Sequence, residues 1–203
     1  KVELLFDLNK QMVEITKGLI LASASPRRLE LLKKINIIPE SVEPAEIDET
    51  PQKKEKPIEY CKRLAKEKGE FVFKKFPEKT ILSADTIVIC SNRIFGKAKT
   101  EDEAREFLTF FSGRKHRVLT AIYIKNKDKS KLVQATTKVT FNRLEKIDID
   151  LYLKTKEWEN KAGAYAIQGY ADRFVKTING SYSNIVGLSL NQAFNLLKTV
   201  NLV

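Results

Sequence analysis

Three places in this sequence put charged side chains where packing alone would not. The first is LASASPRRLE (21–30), where an apolar run ends in two serines and a proline, and two arginines follow at once. A helix N-terminus exposes unpaired N–H groups and a partial positive charge, and a guanidinium fork matches phosphate oxygens two at a time. Ser23, Ser25, Arg27 and Arg28 therefore have the composition of a phosphate grip. The alternative for the same residues is a serine-capped helix start with two surface arginines.

The second is Lys68. Across 57–75 a helical apolar stripe runs through Cys61, Leu64, Ala65, Phe71 and Val72, and Lys68 falls inside it. An inward lysine needs an anion or a path to water. The third is Asp85 in ILSADTIVIC, a charge that interrupts an otherwise buried strand pattern. A buried carboxylate must meet a cation, several donors or a metal. At a cleft edge Asp85 can bind a metal or take a proton from water. The loop AEIDET offers Glu46, Asp48 and Glu49 to complete a hard-cation site, or simply as solvated surface.

Weaker signals follow. Lys97 in FGKAKT matches only the tail of a phosphate loop, whose upstream glycine is missing, and no G-x-G-x-x-G occurs. The small residues of KAGAYAIQGY permit close backbone approach to a ligand or a tightly packed strand turn, and Gln168 within it can hydrogen-bond a base edge. His116 in GRKHRVLT reads as a surface strand residue, so no hydrolase triad is drawn. One histidine and two separated cysteines exclude a zinc site of the usual spacings.

The elements that must position these groups follow from periodicity and punctuation. GLILA (18–22) reads as a buried strand, with a helix from the Ser25 cap and Pro26 to about Asn36. An extended acidic stretch leads to a helix from Pro57 to about Lys75, then to a central strand over 80–90. Thr100 caps a third helix ending near Gly113. HRVLTAIYIKN and KLVQATTKVTFNRL read as a hairpin around a lysine-rich turn, and DIDLYLKT as a short helix. AYAIQGY and RFVKTING read as strands and SLNQAFNLLKTV as a closing helix. Alternating elements followed by a hairpin predict an α/β fold with a mixed sheet, early and late elements forming lobes around a cleft.

The chain has 203 residues, 42% of them hydrophobic, and no apolar stretch long enough for a bilayer. Cys61 and Cys90 sit in apolar patterns and read as reduced thiols of a cytoplasmic protein. A net charge of +11 favours anionic partners. The basic runs lack interleaved aromatic residues, which argues against nucleic acid.

LASASPRR, SADTIV, GK, KAGAYAIQG and INGSYSNIVGLSL, in this order and spacing, resemble the Maf family of nucleoside triphosphate pyrophosphatases from about Gly18 to the C-terminus. The resemblance divides the chain into an N-terminal extension (1–17), helical or extended, and a single domain (18–203). It implies a mixed-sheet α/β fold of the inosine triphosphatase-like type, with two lobes around a central cleft. It also implies hydrolysis of a nucleoside triphosphate to the monophosphate and pyrophosphate with Mg2+ or Mn2+, and a possible homodimer. By motif, Asp85 becomes the catalytic proton acceptor and a metal ligand with Glu49. Ser23, Arg28, Lys68 and Lys97 become the phosphate-binding set. Arg27, Thr86 and Gln168 match the substrate-selecting positions of the dTTP/UTP branch. Two departures from the pattern are Ala98 and Ser189, where the family usually has proline. The rival expectations are a pyrophosphatase for 7-methyl-GTP or modified purines, and a basic nucleotide-sensing or nucleic-acid-binding regulator of septum formation.

Overall fold

A computed structural model describes residues 15–203. Their apolar runs become a seven-stranded mixed sheet in the order β2-β1-β3-β5-β6-β7, with the short β4 also paired to β3. β1 (Ile15–Ala22) lies parallel to both β2 (Ile38–Val42) and β3 (Thr80–Cys90). β3 runs antiparallel to β4 (Arg93–Phe95) and to β5 (Lys115–Lys125), β5 to β6 (Ser130–Phe141), and β6 to β7 (Val175–Asn179). β1 begins at Ile15, inside the expected N-terminal extension; the remainder of that segment, residues 1–14, lies outside the described residues.

Helix starts follow their punctuation. Pro26 and Pro57 occupy the first turn of α1 (Pro26–Lys33) and α2 (Pro57–Lys75). The Thr100 side chain accepts from the Glu103 N–H at the start of α3 (Glu101–Phe111), which carries three acids in its first turn. Ser25 stands at the cap position of α1 but makes no side-chain cap bond, and α1 ends at Lys33, before the expected Asn36. α4 (Lys146–Lys154) and α6 (Leu190–Thr199) fall where their patterns place them. A 3₁₀ turn (Tyr170–Phe174) and the five-residue α5 (Tyr182–Val186) carry no periodic signal and were not expected.

The stretch AYAIQGY is not a strand: residues 163–169 form consecutive turns. The N–H groups of Ala164 and Gly169 close local turns on the Lys161 and Ala166 carbonyls, and two others go to distant partners instead of a ladder. The Gly163 N–H reaches the Phe95 and Gly96 carbonyls, and that of Ala166 the Tyr152 hydroxyl. His116 is also misread by its basic flanks. It is 1% exposed, stacked on Phe111 at 4.6 Å, and bonded through Nε2 to the Tyr165 hydroxyl.

Among the described residues the core forms four clusters, two of them large. Around β1 and α1, Leu19, Leu21, Leu31 and Leu32 pack with Leu188, Ala193, Leu196 and Leu197, so the last helix returns to the first lobe. That differs from an early-versus-late division of the chain. The second cluster is aromatic, with Phe95, Phe107, Phe111, Phe141, Tyr152 and Phe174. α2 lies on the sheet between Cys61, Ala65, Ile87, Leu119 and Tyr123. Its close approach requires Gly69, where a Cβ would stand 2.5 Å from Tyr123 and 2.7 Å from the Ser83 hydroxyl.

Candidate active site

A break in the sheet creates the site. One edge of β3 is bordered by β1 as far as Ser83 and by β4 from Val88 onward. Ala84 to Ile87 lie in the gap. Because strand side chains alternate, Asp85 turns toward α2 while Thr86 turns the other way, toward Gly187 and Thr120. Two adjacent residues thus serve the two walls of one cleft. The cleft is a cavity of about 680 Å³.

Every residue to which the family resemblance assigns a role lines this cavity: Ser23, Arg27 and Arg28 after β1, Glu49, Lys68, Asp85 and Thr86, Lys97, and Gln168. Lys68 is the hinge of its acidic side. Its ammonium stands 2.7 Å from Asp85 Oδ1 and 2.8 Å from Glu49 Oε1. Asp85 is 7% exposed, and its Oδ2 accepts no hydrogen bond from a described residue. Burial pushes the Glu49 carboxyl up, but the Lys68 hydrogen bond and the charges of Lys68, Lys97 and Arg28 outweigh it, leaving Glu49 below the usual glutamate range. Glu46 and Asp48 stay exposed on the acidic loop; Asp48 accepts from the Thr50 N–H. The loop is tied to α2 by the Tyr60 hydroxyl, which donates to the Glu49 carbonyl, and by Arg63, which donates to the Thr50 carbonyl and pairs with Glu55. Tyr60 lines the cavity too, and burial with the Asp85 and Glu49 charges pushes its phenol up to about 12. No sequence signal separates it from an ordinary packing aromatic.

Arg28 is buried and fully oriented. Nε donates to the Gly187 carbonyl at 2.9 Å, Nη1 to Ser23 Oγ at 3.0 Å and Nη2 to Thr86 Oγ1 at 3.1 Å. Three of its five N–H groups are thereby engaged and two remain. Burial lowers its pKa and the Asp85 charge opposes that shift, while a guanidinium stays protonated regardless. The Thr86 hydroxyl is held within this network, 3.0 Å from Thr120 Oγ1 and 3.3 Å from the Gly187 carbonyl. Arg27 reaches the Asn160 carbonyl at 3.3 Å, and Gln168 is exposed at the cavity mouth. Lys97 is exposed as well, its main chain bridged to Ala162. That bridge carries Lys161 to the same cavity, a lining cation that the sequence reading missed. Among the described residues no cluster of three or more His, Cys, Asp or Glu side chains stands ready for a metal. Glu49 and Asp85 are the carboxylates that converge, with a lysine ammonium already between them.

A mixed α/β sheet opened at one strand, whose cleft is lined by Arg27, Arg28, Lys68, Lys97 and Lys161 beside two carboxylates, has the charge suited to a polyanion. More narrowly, the chain belongs to the Maf-like protein family, whose model matches residues 18–200. A protein of Zymomonas mobilis named dTTP/UTP pyrophosphatase is 48% identical over 184 residues, covering 90% of this chain and 91% of its own. One of Paramagnetospirillum magneticum, with the same name, is 49% identical over 180 residues, 88% of this chain and 95% of its own. The solved structure of the Staphylococcus aureus Ham1 protein aligns over 92% of this chain and 97% of its own, at 16% identity and a TM-score of 0.47.

Proposed function

We propose that this protein hydrolyses dTTP and UTP to the monophosphate and pyrophosphate, removing them or modified pyrimidine nucleotides from the nucleotide pool. Membership of the Maf-like family and the names of the two relatives support the reaction class and the substrates. One observation carries the chemistry: Asp85 lines a cation-rich cavity, held through Oδ1 by Lys68, while Oδ2 accepts from no donor among the described residues.

In this reading Arg28, Lys68 and Lys97 neutralise the phosphate oxygens, and Ser23 adds a hydroxyl donor. Asp85 Oδ2 accepts a proton from a water, whose oxygen bonds to the α-phosphorus. The bond from that phosphorus to the α–β bridging oxygen breaks, and its electron pair leaves with pyrophosphate. The Lys68 hydrogen bond and charge favour the ionised form of Glu49 beside it. Positioning and charge neutralisation supply most of the rate, as befits a transfer with little covalent work for the protein. Arg27, Thr86 and Gln168 line the cavity beyond the phosphate set, and Gln168 offers both an amide donor and an acceptor to a pyrimidine edge.

Two carboxylates suit a hard divalent cation that completes its shell with phosphate oxygens and water, and the ammonium between Glu49 and Asp85 marks a place where positive charge is favoured. Glu49 and Asp85 would hold Mg2+ or Mn2+. Bound there, such an ion would supply neutralisation of phosphate charge and polarisation of the phosphorus. No described helix is long and apolar enough to cross a membrane. The two buried free thiols accord with a reducing compartment such as the cytoplasm.

The test is a panel of nucleoside triphosphates, including 7-methyl-GTP and ITP, assayed for pyrophosphate release with Mg2+ or Mn2+. The account expects dTTP and UTP to lead in kcat/KM. Preference for a purine, or no pyrophosphate from any member, overturns it.

A further inference from the structure

The loop that carries Lys161 has the marks of a built ligand clamp. Asn160 and Ala164 both adopt positive φ, 56–57°, a region that costs a non-glycine residue free energy. Ala164 is fully buried, so it cannot relax outward. Gly163 between them presses on Val88, where a Cβ would stand 2.9 Å from the valine. The loop is pinned on its other side by the Lys97–Ala162 bridge. This rigidity fixes where the Lys161 side chain emerges, and it emerges into the cavity.

Among the described residues no carboxylate pairs with the Lys161 ammonium, which instead donates to the Glu159 carbonyl at 3.1 Å. Glu157 Oε2 accepts from the Tyr170 N–H. The neighbouring group is another cation: Arg27 donates to the carbonyl of Asn160, the residue just before Lys161. Burial lowers the Lys161 pKa first and the Arg27 charge second, with Glu157 and Glu159 pulling weakly upward. Two like charges near each other on a half-buried rim are both stabilised when an anion binds between them. A pyrimidine ring is neutral and does not supply that. A phosphate oxygen does.

We propose that Lys161 is a further substrate-binding residue, donating to the phosphate chain of the nucleoside triphosphate beside Arg27. This inference rests on the proposed function for the identity of the ligand, so its test includes a ligand that needs no hydrolysis. Binding of inorganic tripolyphosphate to the full chain is measured by calorimetry for the wild type, Lys161→Met and Lys161→Arg. The methionine keeps the apolar stem and removes the charge, and thermal melts confirm that each variant is folded. Loss of one charge-assisted contact weakens binding about tenfold to a hundredfold. The expected result is that loss in Lys161→Met, recovery of most of it in Lys161→Arg, and a matching rise in KM for UTP with kcat nearly unchanged. Unchanged tripolyphosphate affinity in Lys161→Met overturns the inference, as does a wild type that does not bind tripolyphosphate. A wild type that binds tripolyphosphate but cleaves no triphosphate refutes the proposed function alone, and the calorimetric arm still decides Lys161.

Discussion

Lowering the pH from 7.5 to 5 should destabilise this protein through a single side chain. His116 is the chain's one histidine. Its ring lies between Phe111 and Phe141, and its Nδ1 has no partner among the described residues. Protonation would place an N–H and a full charge among aromatic rings without an acceptor. Burial accordingly lowers its pKa from 6.5 to about 4. Between those values the unfolded chain binds a proton that the folded chain refuses. The histidine's contribution is therefore fully present above pH 6.5 and falls away as the pH drops toward 4. Integrated from pH 7.5 to pH 5, the linkage amounts to about 2 kcal/mol, a sizeable part of an ordinary folding free energy. Most lowered carboxylates here, Glu55 and Glu70 among them, titrate below that window. Urea unfolding at pH 7.5, 6.5, 5.5 and 5 reads the effect, with His116→Phe as reference. That variant leaves the Tyr165 hydroxyl unpartnered at every pH, so it lowers the whole curve without tilting it. The wild type should lose about 2 kcal/mol more than the variant across the range. Parallel curves would refute the buried, neutral imidazole.

Three further outcomes follow from the site and its scaffold. Asp85→Asn keeps the shape of the side chain and removes its basicity, so kcat for pyrophosphate release should fall by about 10²–10⁴ with little change in Tm; near-normal turnover removes Asp85 from the reaction. Lys68→Ala leaves Asp85 and Glu49 facing each other without their shared cation, and kcat/KM for UTP should fall by about a hundredfold or more while Tm moves by a few degrees; a collapse in Tm with kcat/KM intact makes Lys68 structural. Gly69→Ala forces a methyl to within 2.5 Å of Tyr123 and should destabilise the protein by about 1–3 kcal/mol in chemical denaturation; wild-type stability would mean that α2 moves freely on the sheet.

Asp85 and Lys68 were legible because each is a charge set in an apolar, periodic context, where the sequence itself shows that something must compensate it. The structure makes them each other's compensation. The helix starts at Pro26, Pro57 and Thr100 were legible for a similar local reason. What local pattern hides is partnership across the chain. Gly163 and Ala166 bond through Phe95, Gly96 and Tyr152 while Ala164 and Gly169 close local turns, so a strand-like composition folds as turns. His116 is wrapped by aromatics from three other segments that its lysine and arginine neighbours do not announce. Lys161 enters the cavity only because Ala162 bridges to Lys97, some sixty residues earlier. Arg28 was legible as a cation at a helix start, but its anchoring on Gly187 depends on a turn near the far end of the chain.

The central claim is that this cavity holds a triphosphate so that water attacks its α-phosphorus. Hydrolysis of UTP in ¹⁸O-labelled water, with the products resolved by mass spectrometry, tests it most directly. The account predicts one labelled oxygen in UMP and unlabelled pyrophosphate. Label in pyrophosphate or in inorganic phosphate, with UMP unlabelled, contradicts it.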